Sequence, residues 1–204
     1  ALGIEKDELF ILQPTRVVQR KGIEHAIELV SRLGRKARLV ISHDSGDDGL
    51  DYEVRVADFA KMMGVRTIFS SKIFDEHRGS TKDGRKIYSL SDAYPHADLV
   101  TYPSLIEGFG NAFLEALYYK KPIVVNNYAI FATDIKPKGF KVIEFEDYIT
   151  DKTVQDTLRI LDDVSYREEL CALNYSLGLR YFSYKVLRYK LLVLFANAFG
   201  SSGM

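Results

Sequence analysis

Short apolar runs alternate along the chain with segments in which apolar residues recur at the three- and four-residue spacing of a helix. The apolar runs predict six buried strands, at residues 9–13, 37–42, 67–70, 97–102, 123–125 and 141–145. The helical spacing covers residues 22–33, 51–63, 86–93, 111–120 and everything from 151 onward, with one break near 176–183. Polar residues at 43–49 and 75–85 predict loops.

This alternation is typical of βαβ units, in which helices cover both faces of a parallel sheet. We therefore predict an α/β fold: a doubly wound, Rossmann-like parallel sheet of about six strands, followed by a helical C-terminal segment. The length, without an internal repeat or a low-complexity linker, favours a single domain over 1–204. Within it, residues 1–8 are expected to form a linker and residues 200–204 a disordered tail. The chain does not begin with Met and is therefore expected to be a piece of a longer protein.

The composition narrows the classes of partner. Lys and Arg total 28 and Asp and Glu also total 28, so the net charge is zero and a general nucleic-acid binder is disfavoured. The single cysteine excludes an internal disulfide framework and a cysteine-based zinc cluster. No apolar run reaches the ~18 residues of a membrane span, and the N-terminus lacks the layout of a signal peptide. These features predict a soluble, cytoplasmic domain with a small-molecule or protein partner.

The last helical segment is unusual because its apolar residues do not keep to one face. This pattern over residues 186–199 predicts burial on several sides. Lys185, Arg188 and Lys190 could make a peripheral membrane contact with anionic lipid, although a basic helix end beside a large core helix is the commoner arrangement.

One strand-to-helix junction has the features of an anion site. In open parallel sheets, ligands bind outside the carboxyl ends of the strands. The junction reads Glu107-Gly108-Phe109-Gly110-Asn111 and leads directly into a helix, so its glycines and free N–H groups suit an anionic ligand. A helix terminus alone contributes about 0.3–1 kcal/mol, which is too little for specific phosphate binding, so cationic side chains are expected to help.

Suitable cations follow the first strand. Arg16, Arg20 and Lys21 lie just before the next helix, and Arg16 and Lys21 could both point over the same strand ends. Two charge-assisted hydrogen bonds, each of roughly 1.5–3 kcal/mol, together with the helix start could hold a diphosphate. The alternative is that these residues are solvated surface cations.

Two glutamates stand eight positions apart in E-G-F-G-N-A-F-L-E. Glu107 lies in the loop and Glu115 about one turn into the helix, so the two do not share a helix face. A carboxylate beside a bound sugar accepts hydrogen bonds from the sugar hydroxyls. Glu115 could instead be a solvated helix residue, although its apolar neighbours leave its exposure open.

These segments resemble the carboxyl-terminal, donor-binding half of a retaining glycosyltransferase of family 4, which has the GT-B fold. The resemblance is carried by P-T-R-V-V-Q-R-K-G-I at 14–23, A-D-L-V-T-Y-P-S-L-I-E-G-F-G-N-A-F-L-E-A-L at 97–117 and K-P-I-V-V at 121–125. The E-G-F-G segment with its second Glu is that family's E-x7-E motif. Joined to the upstream Arg-x4-Lys-Gly segment in the right order, it is a specific signal, and the resemblance spans nearly the whole chain.

The resemblance implies a role for each matching residue. Arg16 and Lys21 match the basic pair on the donor diphosphate, and Glu107 matches the glutamate that contacts the transferred sugar. The other matches are Phe109, Gly110 and Asn111 as backbone donors near the sugar and phosphate, Glu115 on the ribose hydroxyls, and Lys72 and Ile73, in the loop at 71–74, near the base.

The resemblance also implies that no cofactor and no bound metal are needed. The donor, a nucleotide diphosphate sugar, is a substrate. No Asp-x-Asp pattern is placed to hold a divalent ion, and Asp47-Asp48 and Asp162-Asp163 are expected to be solvated loop or helix-end charges.

The sequence departs from the family pattern in two places. Thr15 stands where the family has a glycine in the first turn. Residues 126–134 replace a Gly-Gly segment that is followed by a Glu. This second loop is expected near the donor, where its apolar and aromatic residues narrow the pocket or pack on a partner domain.

The predicted function is therefore nucleotide-sugar binding within a retaining hexosyltransferase. The acceptor site would lie in an N-terminal domain absent from this chain, so the chain alone should bind nucleotide, transfer no sugar and could self-associate through the uncovered surface. Two alternatives remain open: half of a sugar-nucleotide epimerase, and a non-catalytic nucleotide-binding α/β module. A phospho-receiver is disfavoured because residues 13–16 are basic where an acidic cluster is needed.

Overall fold

The computed structural model describes residues 2–43, 45, 50–70 and 72–200. Most of the predicted loop at 43–49, including Asp47-Asp48, therefore lies outside the described residues. The same holds for Ser71 in the expected base-binding loop and for residues 201–204 of the expected tail.

A parallel six-stranded sheet forms the centre of the fold. The described residues form nine strands: β1 (Leu9–Gln13), β2 (Ala37–Ile41), β3 (Arg66–Phe69), β4 (Phe74–Asp75), β5 (Gly79–Ser80), β6 (Lys86–Ser89), β7 (Leu99–Tyr102), β8 (Ile123–Asn126) and β9 (Ile143–Phe145). The main sheet has the order β3-β2-β1-β7-β8-β9, and every neighbouring pair in it is parallel. The six predicted strands and the doubly wound α/β fold are confirmed.

Helices cover both faces of this sheet. Their bounds are α1 (Ile23–Arg32), α2 (Leu50–Met62), α3 (Leu90–Ala93), α4 (Asn111–Tyr118), α5 (Asp151–Asp162), α6 (Val164–Phe182) and α7 (Tyr184–Phe199), with short turns of other helix types at Gln19–Lys21, Tyr94–His96, Phe131–Ile135 and Lys136–Lys138. None of the helices described is both long and apolar enough to cross a bilayer.

Each central strand contributes side chains to two cores, one on each face of the sheet. In β1, Ile11 enters the core formed with α1, α2 and α5, whereas Phe10 and Leu12 enter the core formed with α3 and α4. Successive residues of a strand point to opposite faces, so a strand that is covered on both sides consists of a continuous apolar run. This burial explains why the apolar runs predict the strands well.

The segment that precedes β7 differs from its prediction. The predicted helix at 86–93 begins only at Leu90, because the residues before it form β6, which pairs with both β4 and β5. The predicted loop at 75–85 correspondingly contains β5 and the end of β4. Ser89 and Asp92 form a capping box that starts α3 at this point.

The C-terminal segment contains two helix breaks, where the helical spacing predicts one. Asp163 and Ser183 each end one helix and cap the next, and their side chains accept hydrogen bonds from the backbone N–H groups of Tyr166 and Val186. Ser183 lies at the end of the predicted break at 176–183, whereas the break at Asp163 is missed. The cap at Asp163 agrees with its expected place at a helix end.

Helix α7 is exposed along its length. None of its residues is buried, and Leu194 and Phe199 are 61% and 79% exposed. The prediction of burial on several sides is therefore wrong for the part of the chain that the structure describes. The reason is that α7 turns away after Ser183 and contacts mainly α6.

The first residues lie against the domain. Leu2 and Ile4 pack on the core beneath α3 and α4. The buried Glu8 carboxylate pairs with Arg38 of β2 at 3.0 Å and with Arg66 of β3 at 3.2 Å. Burial alone would raise the pKa of Glu8, but the two guanidinium groups hold this pKa below its ordinary value. These contacts attach the N-terminal segment to the edge of the sheet.

Candidate functional site

The strand order reverses between β1 and β7, the two central strands. β2 and β3 lie on one side of β1, and β8 and β9 lie on the far side of β7. The loops that follow β1 and β7 therefore leave the sheet side by side, at the place where open α/β sheets bind ligands. These two loops carry the Arg-x4-Lys-Gly and E-G-F-G segments.

Backbone contact holds the two loops together. The loop after β1 ends in the short turn Gln19–Lys21 and then Gly22. Gly22 has a φ of 59°, and a Cβ atom at this position would overlap the carbonyl oxygen of Pro103 in the loop after β7. Only glycine tolerates both conditions. The contact brings the neighbouring Lys21 against the E-G-F-G loop.

Lys21 and Glu107 form an ion pair at the centre of the site. The Lys21 ammonium donates to Glu107 Oε1, and the two side chains are only 11% and 10% exposed. Arg20 Nη1 lies 3.7 Å from Glu107 Oε2, and the Lys21 ammonium lies 5.7 Å from the centre of the Tyr102 ring. Two cations thus converge on one carboxylate beyond the carboxyl end of β7. Water screens the buried Lys21–Glu107 pair poorly, whereas the Arg20 side chain is 44% exposed.

Arg16 is not part of this ion-pair cluster. It is exposed and forms no ion pair with any residue that the structure describes. Thr15, which stands in place of the family's glycine, is buried, and its Oγ1 accepts a hydrogen bond from Gln13 Nε2 at 3.2 Å. The structure therefore brings Lys21 to Glu107 together with Arg20 rather than with Arg16. Sequence reasoning noted Arg20 only as a neighbouring cation.

Tyr102 lies beneath the start of α4. Helix α4 begins at Asn111 after Gly110, whose φ is 103°. A Cβ atom on Gly110 would lie 2.6 Å from Tyr102 Oη, so the packing of the loop on this ring requires glycine. Burial and the charge of Glu107 raise the pKa of Tyr102, which keeps its phenol protonated.

Phe109 is held in place and Asn111 is open to solvent. The Phe109 ring packs edge-on against Phe182 of α6 with 4.9 Å between ring centres, and its carbonyl accepts a hydrogen bond from Tyr128 Oη at 2.7 Å. Asn111 is exposed in the first turn of α4. Because the first N–H groups of a helix have no intrahelical partner, the start of α4 presents donors beside the loop that carries Glu107.

Gly108 has no structural need to be a glycine within this domain. Its φ is not positive, and an added Cβ atom would meet nothing within 4 Å. The space beside it is therefore open and adjoins Glu107. A residue without a side chain at this place suits a ligand that approaches the backbone closely.

Glu115 borders a cavity of about 450 Å³. Its Oε2 accepts a hydrogen bond from Tyr94 Oη at 2.8 Å, and burial raises the pKa of its carboxyl group. The other residues that line the cavity come from the segment after β2, from β4 and the residue after it, and from β6 and the start of α3: Ser42, His43, Phe74, Asp75, Glu76, Ser89, Leu90 and Ser91. The cavity thus offers an aromatic ring, carboxylates and hydroxyls around Glu115.

Lys72 and Ile73 precede Phe74 but do not line this cavity. Lys72 is exposed. The Ile73 N–H donates to the Ser70 carbonyl and the Ile73 carbonyl accepts from the Tyr88 N–H, both at 2.8 Å. Both backbone groups of Ile73 are therefore used within the fold.

Asp75 and Glu76 are cavity residues that sequence reasoning missed. Their signal is their position directly after the expected base-binding loop. The Glu76 N–H donates to Asp75 Oδ1 at 2.6 Å. Among the described residues, no three His, Cys, Asp or Glu side chains come together as a metal site, and metal independence stays a prediction.

Comparison with known proteins gives relatives for most of the chain. The mannosylglucosylglycerate synthase of Petrotoga mobilis is 34% identical over an alignment of 160 positions, which covers 70% of this chain and 36% of that protein. The protein of the same name from Thermotoga maritima is 31% identical over an alignment of 213 positions, which covers 89% of this chain and 47% of that protein. The chain therefore spans less than half the length of these curated relatives.

Solved structures and a family profile complete the comparison. Sucrose-phosphate synthase from Thermosynechococcus elongatus gives a TM-score of 0.75 at 19% identity, over 98% of this chain and 48% of that chain. Anabaena HepE in complex with UDP-glucose gives a TM-score of 0.75 at 12% identity, over 94% of this chain and 49% of that chain. At these identities the likeness concerns the fold alone. The profile described as "Glycosyl transferases group 1" matches residues 9–163, and the chain therefore belongs to this glycosyltransferase family, as its motifs predict.

Proposed function

We propose that this domain binds the nucleotide diphosphate sugar of a retaining hexosyltransferase and that the whole enzyme transfers the hexose to an acceptor hydroxyl. The observation that carries the proposal is the Lys21–Glu107 pair, which lies at the strand-order reversal beside the start of α4. Cations, a carboxylate and free helix N–H groups meet there. These are the groups that a donor with a charged diphosphate and a polyhydroxylated sugar needs.

The diphosphate would bind between Lys21 and the start of α4. Lys21 and Arg20 supply two positive charges, and the exposed Arg16 lies on the same loop. When the bond between the sugar and the diphosphate breaks, negative charge develops on the departing phosphate oxygen. Fixed cations and amides in a poorly hydrated site stabilise that charge without a cofactor.

The transferred hexose would lie over Gly108, with Glu107 accepting hydrogen bonds from its hydroxyls. The open space next to Gly108 leaves room for the sugar ring. Glu107 is bound to Lys21 in the free domain, so the arriving diphosphate would take over part of the charge of Lys21 and leave Glu107 to the sugar.

The nucleoside would occupy the cavity that Glu115 borders. The Glu115 carboxylate would accept hydrogen bonds from the ribose hydroxyls, and the ring of Phe74 would lie beside the base. Asp75 and Glu76 line the same cavity. A carboxylate pairs with the two adjacent N–H donors on one edge of guanine, whereas uracil offers a single N–H between two acceptors. We therefore propose guanine as the preferred base.

The acceptor site and the closure that excludes water would come from the remainder of a longer protein. The curated relatives are more than twice as long as the region they share with this chain. Their shared name makes mannosyl donors and glycerate-containing acceptors the first compounds to test. The cytoplasm is the proposed location, and independence from metal ions is part of the proposal.

A calorimetric panel on this chain tests the donor site. Guanosine, uridine and adenosine diphosphates and their hexose conjugates would be titrated into the wild-type chain and into Lys21→Ala. We expect binding by the wild type, much weaker binding by the variant, and no sugar transfer by either. Absence of binding to every nucleotide would contradict the proposal. Formation of an epimeric sugar nucleotide without acceptor would favour the epimerase alternative.

A further inference from the structure

The segment after β8 holds both ends of the loop that carries Glu107. This segment, Asn126-Asn127-Tyr128, begins the stretch 126–134, which stands where the resembling family has a Gly-Gly segment followed by a Glu. Asn126 Nδ2 donates to the Ser104 carbonyl at 3.3 Å, at the beginning of the loop. Tyr128 Oη donates to the Phe109 carbonyl at 2.7 Å, at its end.

Both side chains are themselves fixed. Asn126 and Tyr128 are each 3% exposed. Asn126 Oδ1 accepts a hydrogen bond from the Asp147 N–H at 3.2 Å, so the amide group is held from both sides. The Tyr128 ring meets the Tyr102 ring edge-on, with 6.1 Å between centres, and packs on Phe131 at 5.9 Å. The segment is therefore a rigid support rather than a flexible cover.

Between these two ends the loop is held by the Lys21–Glu107 ion pair and by a hydrogen bond from the Leu105 N–H to the Arg20 carbonyl at 2.9 Å. Ser104 Oγ is buried and has no hydrogen-bond partner among the described residues, so the side chain of Ser104 does not anchor the loop. A Cβ atom added to Gly108 would meet no atom within 4 Å, so packing does not hold this residue in place. The two hydrogen bonds from the β8 segment thus fix both ends of the stretch 104–109, in which Gly108, next to Glu107, is the residue with the greatest backbone freedom.

We propose that Asn126 and Tyr128 are positioning residues, which orient Glu107 toward the transferred sugar by clamping the loop at Ser104 and Phe109. This inference rests on the proposed function of Glu107 in the donor site. Tyr128 is too deeply buried beneath the loop to reach the nucleotide, and it acts through the backbone that carries Glu107.

The clamp should affect turnover and leave nucleotide binding unchanged. Tyr128→Phe deletes the hydrogen bond to Phe109 but keeps the ring contacts with Tyr102 and Phe131. In the full-length enzyme we expect kcat to fall about tenfold, because one hydrogen bond that orients a reacting group is lost. The Kd of the nucleoside diphosphate should stay within twofold of the wild type, since Lys21 and Glu115 are untouched.

A double-mutant cycle with Glu107→Gln tests whether Tyr128 acts through Glu107. If it does, adding Tyr128→Phe to Glu107→Gln lowers kcat by less than twofold further. The control is Tyr148→Phe, whose ring is 67% exposed and whose hydroxyl makes no hydrogen bond to a described residue, and which should leave kcat unchanged. Equal tenfold losses in both backgrounds, or a kcat for Tyr128→Phe within twofold of the wild type, would overturn the proposal.

Nucleotide binding and thermal unfolding separate the other outcomes. A fall in Tm together with weaker nucleoside diphosphate binding would mean that Tyr128 only stabilises the fold, which also overturns the proposal. Should Tyr128→Phe fail to fold, Asn126→Ser, which removes the donor to Ser104, takes its place in the same cycle. A wild-type enzyme that binds no nucleotide would refute the proposed function itself, before the variants are compared.

Discussion

Lys21 and Glu107 form an ion pair although 86 positions separate them in the chain. The pair exists because Gly22 packs on the backbone of Pro103, which places the two loops in contact before any ligand arrives. A buried lysine without a partner would be costly, and Glu107 supplies that partner in the free domain. The same lysine would then be available to an incoming diphosphate, which carries more charge than one carboxylate.

Loss of Lys21 should weaken diphosphate binding more than any single change on the surface. Lys21→Ala removes a charge-assisted hydrogen bond worth about 1.5–3 kcal/mol, which corresponds to roughly a ten- to hundredfold increase in the Kd of a nucleoside diphosphate. Titration calorimetry measures the change. Lys152→Ala, on the exposed face of α5, is the matched control and should leave the Kd unchanged. An unchanged Kd for Lys21→Ala would remove this residue from the site.

The two glycines of the E-G-F-G segment should respond differently to alanine. Gly110→Ala places a Cβ atom against Tyr102 at a φ of 103°, so we expect a loss of at least about 1 kcal/mol of folding stability. Gly108→Ala adds a methyl group in open space and should leave Tm nearly unchanged while it weakens binding of the sugar nucleotide. Thermal unfolding and calorimetry distinguish the two. A sugar-nucleotide Kd for Gly108→Ala equal to that of the wild type would place the sugar elsewhere.

Glu115 should destabilise the free domain, and this destabilisation should increase as the pH rises. Burial raises the pKa of this carboxyl above its ordinary value of 4.5, so the folded state favours the protonated form. The contribution of the protonated Glu115 carboxyl to the free energy of unfolding is therefore fully present at low pH, and it is lost as the pH rises through the folded-state pKa. We expect Glu115→Gln to have a higher Tm than the wild type at pH 7 and a similar Tm at pH 4.

The same variant should bind nucleosides less well. Glu115→Gln would weaken nucleoside diphosphates more than inorganic pyrophosphate, because only the former present ribose hydroxyls. Equal losses for both ligands, measured by calorimetry, would argue against contact with the ribose. A Tm difference that does not change between pH 4 and pH 7 would argue against the ionised carboxylate as the source of the cost.

The choice of base should depend on the carboxylates beside Phe74. We expect guanosine diphosphate to bind about tenfold more tightly than uridine diphosphate, because Asp75 can accept two N–H donors from guanine. Asp75→Asn should reduce this preference, and Asp58→Asn on α2, which lies outside the cavity, should not. Tighter binding of uridine diphosphate would contradict the proposed base while leaving the family assignment intact.

Local periodicity was enough to predict the fold, and its limits mark where prediction fails. The buried runs of β1 and β8 are apolar on both faces, so the six strands are visible without any knowledge of their neighbours. Lys86–Ser89 is different, since it becomes a strand only because β4 and β5 pair with it. The exposure of α7 is likewise a property of what surrounds it, and its apolar composition alone predicts the opposite.

The sequence by itself determined the alternation of strands and helices, the glycines at the two loop ends, and the order of the basic and acidic segments along the chain, because these depend on neighbouring residues only. The tertiary structure decided which charges meet. It brought Arg20 rather than Arg16 to Glu107, opened a cavity beside Asp75, and placed Tyr128 beneath Phe109. Such contacts join residues that are distant in the chain, and they follow from the packing of loops at the strand-order reversal, which no local pattern encodes.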